Sequence, residues 1–166
     1  SNYIVRLRPG QSVYGYLFYP DGICVDDILT YCISPERYMV VFNAANIQKD
    51  LDWLNAVNTG NLIVDEKCPW VTPPKVEIRY LKDESAGEDM RVDIALQGPA
   101  SLPTILKLAG GDRKFQGRIR RIRRTDFIEC ELAGIPMYLS RTGYTGEVFG
   151  YEFYVHPENG PAIWSK

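Results

Sequence analysis

Residues 12–19 (SVYGYLFY) and 23–34 (ICVDDILTYCIS) are rich in aromatic and β-branched side chains, and Pro20-Asp21-Gly22 separates them. Side chains of these kinds suit a pleated, half-buried surface, and Asp-Gly between two such runs is strong turn chemistry. The segment predicts an antiparallel hairpin, with Asp21-Gly22 as a two-residue loop. Ser34-Pro35-Glu36 turns the chain again, and residues 37–42 (RYMVVF) predict a third strand. A helix follows, with Asn46 as the expected cap and Ile47, Leu51, Leu54 and Val57 along one face.

The charged stretch from Lys82 to Met90 (KDESAGEDM) has no apolar period and marks a boundary between segments 1–82 and 83–166. Val76 to Leu81 predicts a strand before it and Val92 to Leu96 one after it. Ser101 to Ala109 predicts a helix stopped by Gly110-Gly111. Phe127 to Leu132, Ile135 to Arg141 and Tyr151 to Val155 predict strands, and Pro157-Glu158-Asn159 opens a last helix. The expected fold class is α+β, with antiparallel sheets flanked by helices in two subdomains.

At 45% apolar and 24% charged residues, the chain matches an ordinary globular domain rather than a disordered or coiled-coil one. No apolar run approaches the roughly 18 residues of a membrane helix. A net charge of −2 argues against nucleic acid as a bulk partner. Cys24, Cys32, Cys68 and Cys130 form no C-x-x-C pair, and His156 is the single histidine, so a zinc site lacks its ligand spacing. The thiols read as small buried hydrophobes in a reducing compartment. Chemistry must come from carboxylates, tyrosines and arginines. The first residues lack a signal-peptide pattern, and the chain reads as part of something longer.

Asp26-Asp27 lies inside an apolar run, where a charge is costly without partners or a task. Successive strand residues point to opposite faces, so the two carboxylates are not expected to share a site. With the two-residue loop, Asp27 lies opposite Tyr16 and Leu29 opposite Tyr14, collecting Tyr14, Tyr16, Asp27 and Tyr31 on one face. Two readings are open: a pocket for a flat, polar-edged ligand, or an edge strand with solvated charges and core tyrosines.

Thr142-Gly143-Tyr144-Thr145-Gly146-Glu147 is either a hairpin turn or a loop pressing Tyr144 toward a ligand. Glu152 sits on an apolar strand and either finds a donor or faces outward. Residues 118–124 (RIRRIRR) hold five arginines and read as a solvated face or an acidic-partner patch.

Four segments taken in order, GICVDDILTY (22–31), VFNAANIQKD (41–50), LQGPA (96–100) and SRTGYTGE (140–147), resemble the glycine cleavage T-protein family of folate-binding aminomethyltransferases. The resemblance spans nearly the whole chain and implies the middle of a protein about twice as long, without its N-terminal part and C-terminal barrel. It implies an α+β subdomain over 1–82 and an antiparallel-sheet subdomain, incomplete here, over 83–166. The implied reaction moves a methylene from the aminomethyl-lipoyl arm of the H-protein to tetrahydrofolate, a co-substrate, releasing ammonia. Asp27 would be the catalytic carboxylate, Tyr14, Tyr31, Tyr144 and Asn43 would surround the folate, and Glu152 would anchor its pterin.

The resemblance implies no metal, no nucleic-acid partner and no membrane, and a bacterial cytoplasmic or mitochondrial-matrix setting. Gly22-Ile23 stands where the family usually has Gly-Gly, and a further family tyrosine falls at Thr125. The family arginines that clamp the folate tail lie beyond residue 166, so these residues alone are expected to be inactive. A folate-dependent O- or S-demethylase would use the same pocket. A non-catalytic folate-binding module is a third option, although its K-G-C-Y-x-G-Q-type motif is absent.

Overall fold

A computed structural model describes residues 3–143 and 145–166. The chain divides into two compact units, Ser1–Ile78 and Arg79–Lys166. It is mixed α/β, with two antiparallel sheets and helices.

The first unit holds strands β1 (Ser12–Phe18), β2 (Cys24–Ser34) and β3 (Arg37–Val41) in the order β1-β2-β3. Tyr16 lies opposite Asp27 and Tyr14 opposite Leu29, the register expected from sequence, but the turn that produces it differs. Tyr19 and Ile23 close a loop of Pro20, Asp21 and Gly22, with Gly22 at φ 85°, a conformation that favours glycine. The extra loop residue shifts the register by one. A bulge at Val25 shifts it back, because Phe18 pairs with Cys24 while Leu17 pairs with Asp26. Val25 is thus left out of the register, and its carbonyl accepts from Lys49 Nζ at 2.5 Å.

Helix α1 (Ile47–Asn58) follows a short 3-10 turn at Ala44–Asn46 and packs on β2. Asn46 stands at the N-cap position, yet its side chain makes no cap bond; it donates to Asp26 instead. A buried carboxylate outcompetes an exposed helix end for that amide. Val76 to Leu81 belongs to no strand, contrary to the sequence expectation. The backbone of Val76 is occupied by Asn58, whose amide donates to the Val76 carbonyl at 2.9 Å and accepts from its N–H at 2.8 Å. The thiols also depart from expectation: Cys32 is buried, but Cys24 is exposed and Cys68 and Cys130 are half-buried.

The second unit is a four-stranded antiparallel sheet in the order β4-β7-β6-β5, from Val92–Gln97, Gly150–Val155, Ile135–Ser140 and Phe127–Leu132. Its core gathers Leu139, Tyr151, Phe153 and Val155 from the central strands. Against them pack Ile105 of α2 (Ser101–Leu108), Ile119 of α3 (Arg113–Arg120) and Ile163 of α4 (Gly160–Trp164). Each such aliphatic side chain contributes about 1.5–3 kcal/mol on full burial.

The pattern reading missed α3. Its signal was Asp112, whose carboxylate accepts from the N–H groups of Lys114 and Phe115 and caps the helix. Of the arginine-rich run, Ile119 and Ile122 are buried and the arginines are exposed. Arg118, Arg121 and Arg124 donate to the carbonyls of Glu129, Gly117 and Gly143. Only the Gly117 carbonyl belongs to the last turn of α3, where a cation satisfies a group the helix leaves open; the other two lie in β5 and after β6.

Candidate functional site

The pleat of β2 sends Asp26 and Asp27 to opposite faces, and their surroundings differ accordingly. Asp27 is half-buried: Tyr14 donates its hydroxyl to Asp27 Oδ2 at 2.9 Å, and Asn43 Nδ2 donates to Asp27 Oδ1 at 2.8 Å. The charge is neither bare nor sealed. Beside it, Tyr14 and Tyr16 meet edge to face at 5.3 Å, and Phe18 extends the row, its ring 6.0 Å from Tyr16. All three rings are exposed, so this is a solvent-facing aromatic row and not a core. Hydrogen bonds to Tyr16 and Asp27 hold the Tyr14 phenol well above its ordinary pKa, which keeps it a donor toward the carboxylate.

On the other face Asp26 is buried, and Asp26 Oδ1 accepts from Asn43 at 3.1 Å and Asn46 at 2.9 Å. Burial pushes Asp26 up, but the donors Asn43, Asp50 and Asn46 outweigh it and hold the carboxyl below the usual carboxylate range. The two carboxylates lie on opposite faces, as the alternation predicts, yet one side chain touches both. Asn43 follows β3 at the sheet edge, where its Nδ2 reaches Asp26 Oδ1, Asp27 Oδ1 and, at 3.3 Å, the Asp27 carbonyl. A strand alternates its side chains, but an amide arriving from the edge can span the pleat.

Of the residues expected at the site, the fold brings Tyr14, Asp27 and Asn43 into direct contact. Tyr31 shares their face by register, opposite Ser12, but is fully buried. Glu152 belongs to the second unit, in β7 opposite Ser140 and Ala95. It is buried and accepts from the hydroxyls of Thr142 and, at 3.1 Å, Tyr154. That excludes the outward-facing alternative. Tyr144 lies outside the described residues.

β6 ends at Ser140 and β7 begins at Gly150, and between them Gly146 stands at φ 86°. Gln97, at the end of β4, was not singled out in the sequence. Its side chain fills the space where a Cβ at Gly143 or Gly150 would stand, and it reaches the Tyr151 carbonyl at 3.4 Å. The LQGP and SRTGYTGE segments are therefore two halves of one packing arrangement. The close approach of Gln97 to two glycines was the signal, and it exists only in three dimensions.

The whole chain, residues 1–166, matches the model of the GCVT N-terminal domain. The chain belongs to this family. It is 33% identical to the aminomethyltransferase of Geobacillus kaustophilus, over 99% of this chain and 38% of that protein. It is 32% identical to that of Bacillus subtilis, over 100% of this chain and 39% of that protein. The fold matches the crystal structure of glycine cleavage system aminomethyltransferase T from Bartonella henselae, with a TM-score of 0.62 and 23% identity over 97% of this chain and 36% of that one. The chain thus spans a little over a third of the length of these relatives. Among the described residues, no helix is long and apolar enough to cross a membrane.

Proposed function

We propose that the chain carries the folate-side chemistry of aminomethyl transfer, with Asp27 as the catalytic carboxylate. The methylene leaves the aminomethyl-lipoyl arm of an H-protein and comes to bridge N5 and N10 of tetrahydrofolate. The C–N and C–S bonds of the S-CH2-NH2 adduct break. The two N–H protons of the folate amines end on ammonia and on the lipoyl sulfur.

The observation that supports this reading is the setting of Asp27. One oxygen accepts from Tyr14 and the other from Asn43, beside exposed rings on which a flat heterocycle can stack. A carboxylate held in this way can orient an amine, relay a proton and stabilise an iminium-like cation. Tyr31, Tyr144 and Asn43 are proposed around the folate, and Glu152 as the acceptor for the N–H edge of the pterin. The family proposal also places the reaction in a cytoplasmic or mitochondrial-matrix compartment.

The test joins residues 1–166 to the remaining regions of a curated relative and assays transfer from loaded H-protein, with and without Asp27→Asn. Turnover lost in the variant, at nearly unchanged tetrahydrofolate affinity, supports the assignment. Unchanged turnover defeats it.

A further inference from the structure

Beneath Asp27, on the helix-covered face of β2, carboxylate oxygens outnumber their donors. Asp26 is 6% exposed and Asp50, in α1, is completely buried. Asp26 Oδ1 is served by two amides, but Asp26 Oδ2 and both oxygens of Asp50 have no conventional donor. The two carboxyls lie within hydrogen-bonding reach of each other. Two ionised carboxylates so placed would repel in a dry setting, with three of their four oxygens unserved.

Neither a cation nor a metal cluster of the described residues supplies the missing partners. The nearby Lys49 ammonium donates to the Val25 carbonyl, and none of the three unserved carboxylate oxygens accepts from it. Among the described residues, no three acidic, cysteine or histidine side chains are arranged to hold a metal ion. One proton resolves the conflict: Asp50 as the acid donates to Asp26 Oδ2, leaving Asp26 Oδ1 for Asn43 and Asn46.

We propose that Asp26 and Asp50 share one proton, and that this pair positions Asp27 through the forked amide of Asn43. Asp50 is then a positioning residue for the site, and this role rests on the reading of Asp27 given above. The charged groups facing Asp50 are Asp26 and Asp27 from β2 and Lys49 on its own helix. Burial, then the hydrogen bond and charge of Asp26, push Asp50 up to about 6, against the weaker pull of Lys49. Above that pH the pair carries two charges, and Asn43 is drawn between Asp26 and Asp27.

Carboxyl 13C NMR on the chain labelled at aspartate reads the pair without any substrate. Asp50 should titrate near pH 6, and Asp26→Asn should move its midpoint toward the ordinary carboxylate value. Asp50→Leu should displace the Asp27 resonance, whereas Asp50→Asn, which keeps a donor toward Asp26, should restore it. In the transfer assay, Asp50→Leu should lower turnover about tenfold, as for a buried group losing its partner. Asp50→Asn should keep most of it, with an advantage over the parent that grows as pH rises through about 6.

An Asp50 that titrates at the ordinary value, or Leu and Asn variants that behave alike, would overturn the proposal. If the titrations and the Asp27 resonance behave as expected but no variant transfers, the pair stands and the transferase reading fails. Transfer with an unperturbed Asp50 has the reverse meaning.

Discussion

Asp26 and Asp27 are the same side chain, one peptide apart, in opposite circumstances. Asp27 faces an exposed row of aromatic rings and accepts from one phenol and one amide. Asp26 faces α1, is buried, and is surrounded by Asn43, Asn46 and Asp50. The pleat of a strand makes this division, because neighbouring side chains must leave by opposite faces. The same charge can therefore serve chemistry on one side and hold the local fold on the other, with Asn43 as the tie between them. A sequence motif of two aspartates is thus two devices.

The largest effect should come from the exposed side. Asp27→Asn preserves shape and both neighbours but removes the charge, and turnover in the joined protein should fall on the order of 10²–10⁴, the range of a lost general acid or base. Asp26→Asn should instead appear in stability. Its amide oxygen can still accept from Asn43 and Asn46, but the charge that strengthens both bonds is gone, and urea unfolding should show a loss of about 1–3 kcal/mol. If Asp26→Asn destroyed turnover while leaving stability intact, the division between the faces would be wrong.

Acidity sharpens the comparison further. Asp50 has a folded-state value of about 6, above its unfolded one. The folded chain therefore binds the extra proton, and this contribution is complete below about pH 4 and fades as pH rises through 6. Asp26, held low, contributes the opposite way: its stabilisation is present above the ordinary carboxylate pH and is lost on acidification. Urea unfolding between about pH 4 and 7 should show the parent losing stability relative to Asp50→Asn, which carries no such proton. Parallel curves for the two proteins would refute the assignment.

A smaller effect is expected in the second unit. Glu152→Ala should weaken tetrahydrofolate binding by about 1–3 kcal/mol, the loss of one acceptor from a polar edge, measured by calorimetry in the joined protein. Because Glu152 also accepts from Thr142 and Tyr154, the same variant should lower stability. An unaltered dissociation constant would leave it a purely structural acceptor. The smallest effect concerns Arg120 and Arg123, both exposed. If their face meets an acidic H-protein, replacing both should flatten the salt dependence of transfer, and an unchanged dependence would remove the docking idea.

The sequence by itself determined much of this protein. Aromatic and β-branched runs broken by Pro-Asp-Gly specified the hairpin, since local propensity and turn chemistry act over a few residues. Alternation put Asp27 on the tyrosine-bearing face, and four ordered motifs identified the family. What depended on distant partners was not legible. The hairpin loop is one residue longer than expected, and only the bulge at Val25 restores the register. Val76 is held by a side chain 18 positions away rather than by a strand. Asn46 leaves its helix end for Asp26, Gln97 occupies the room of two glycines, and Asp50 closes under Asp26. In each case a buried polar group or a crowded backbone chose its partner from across the fold. Burial and hydrogen-bond satisfaction belong to the packed chain, and no local pattern encodes them.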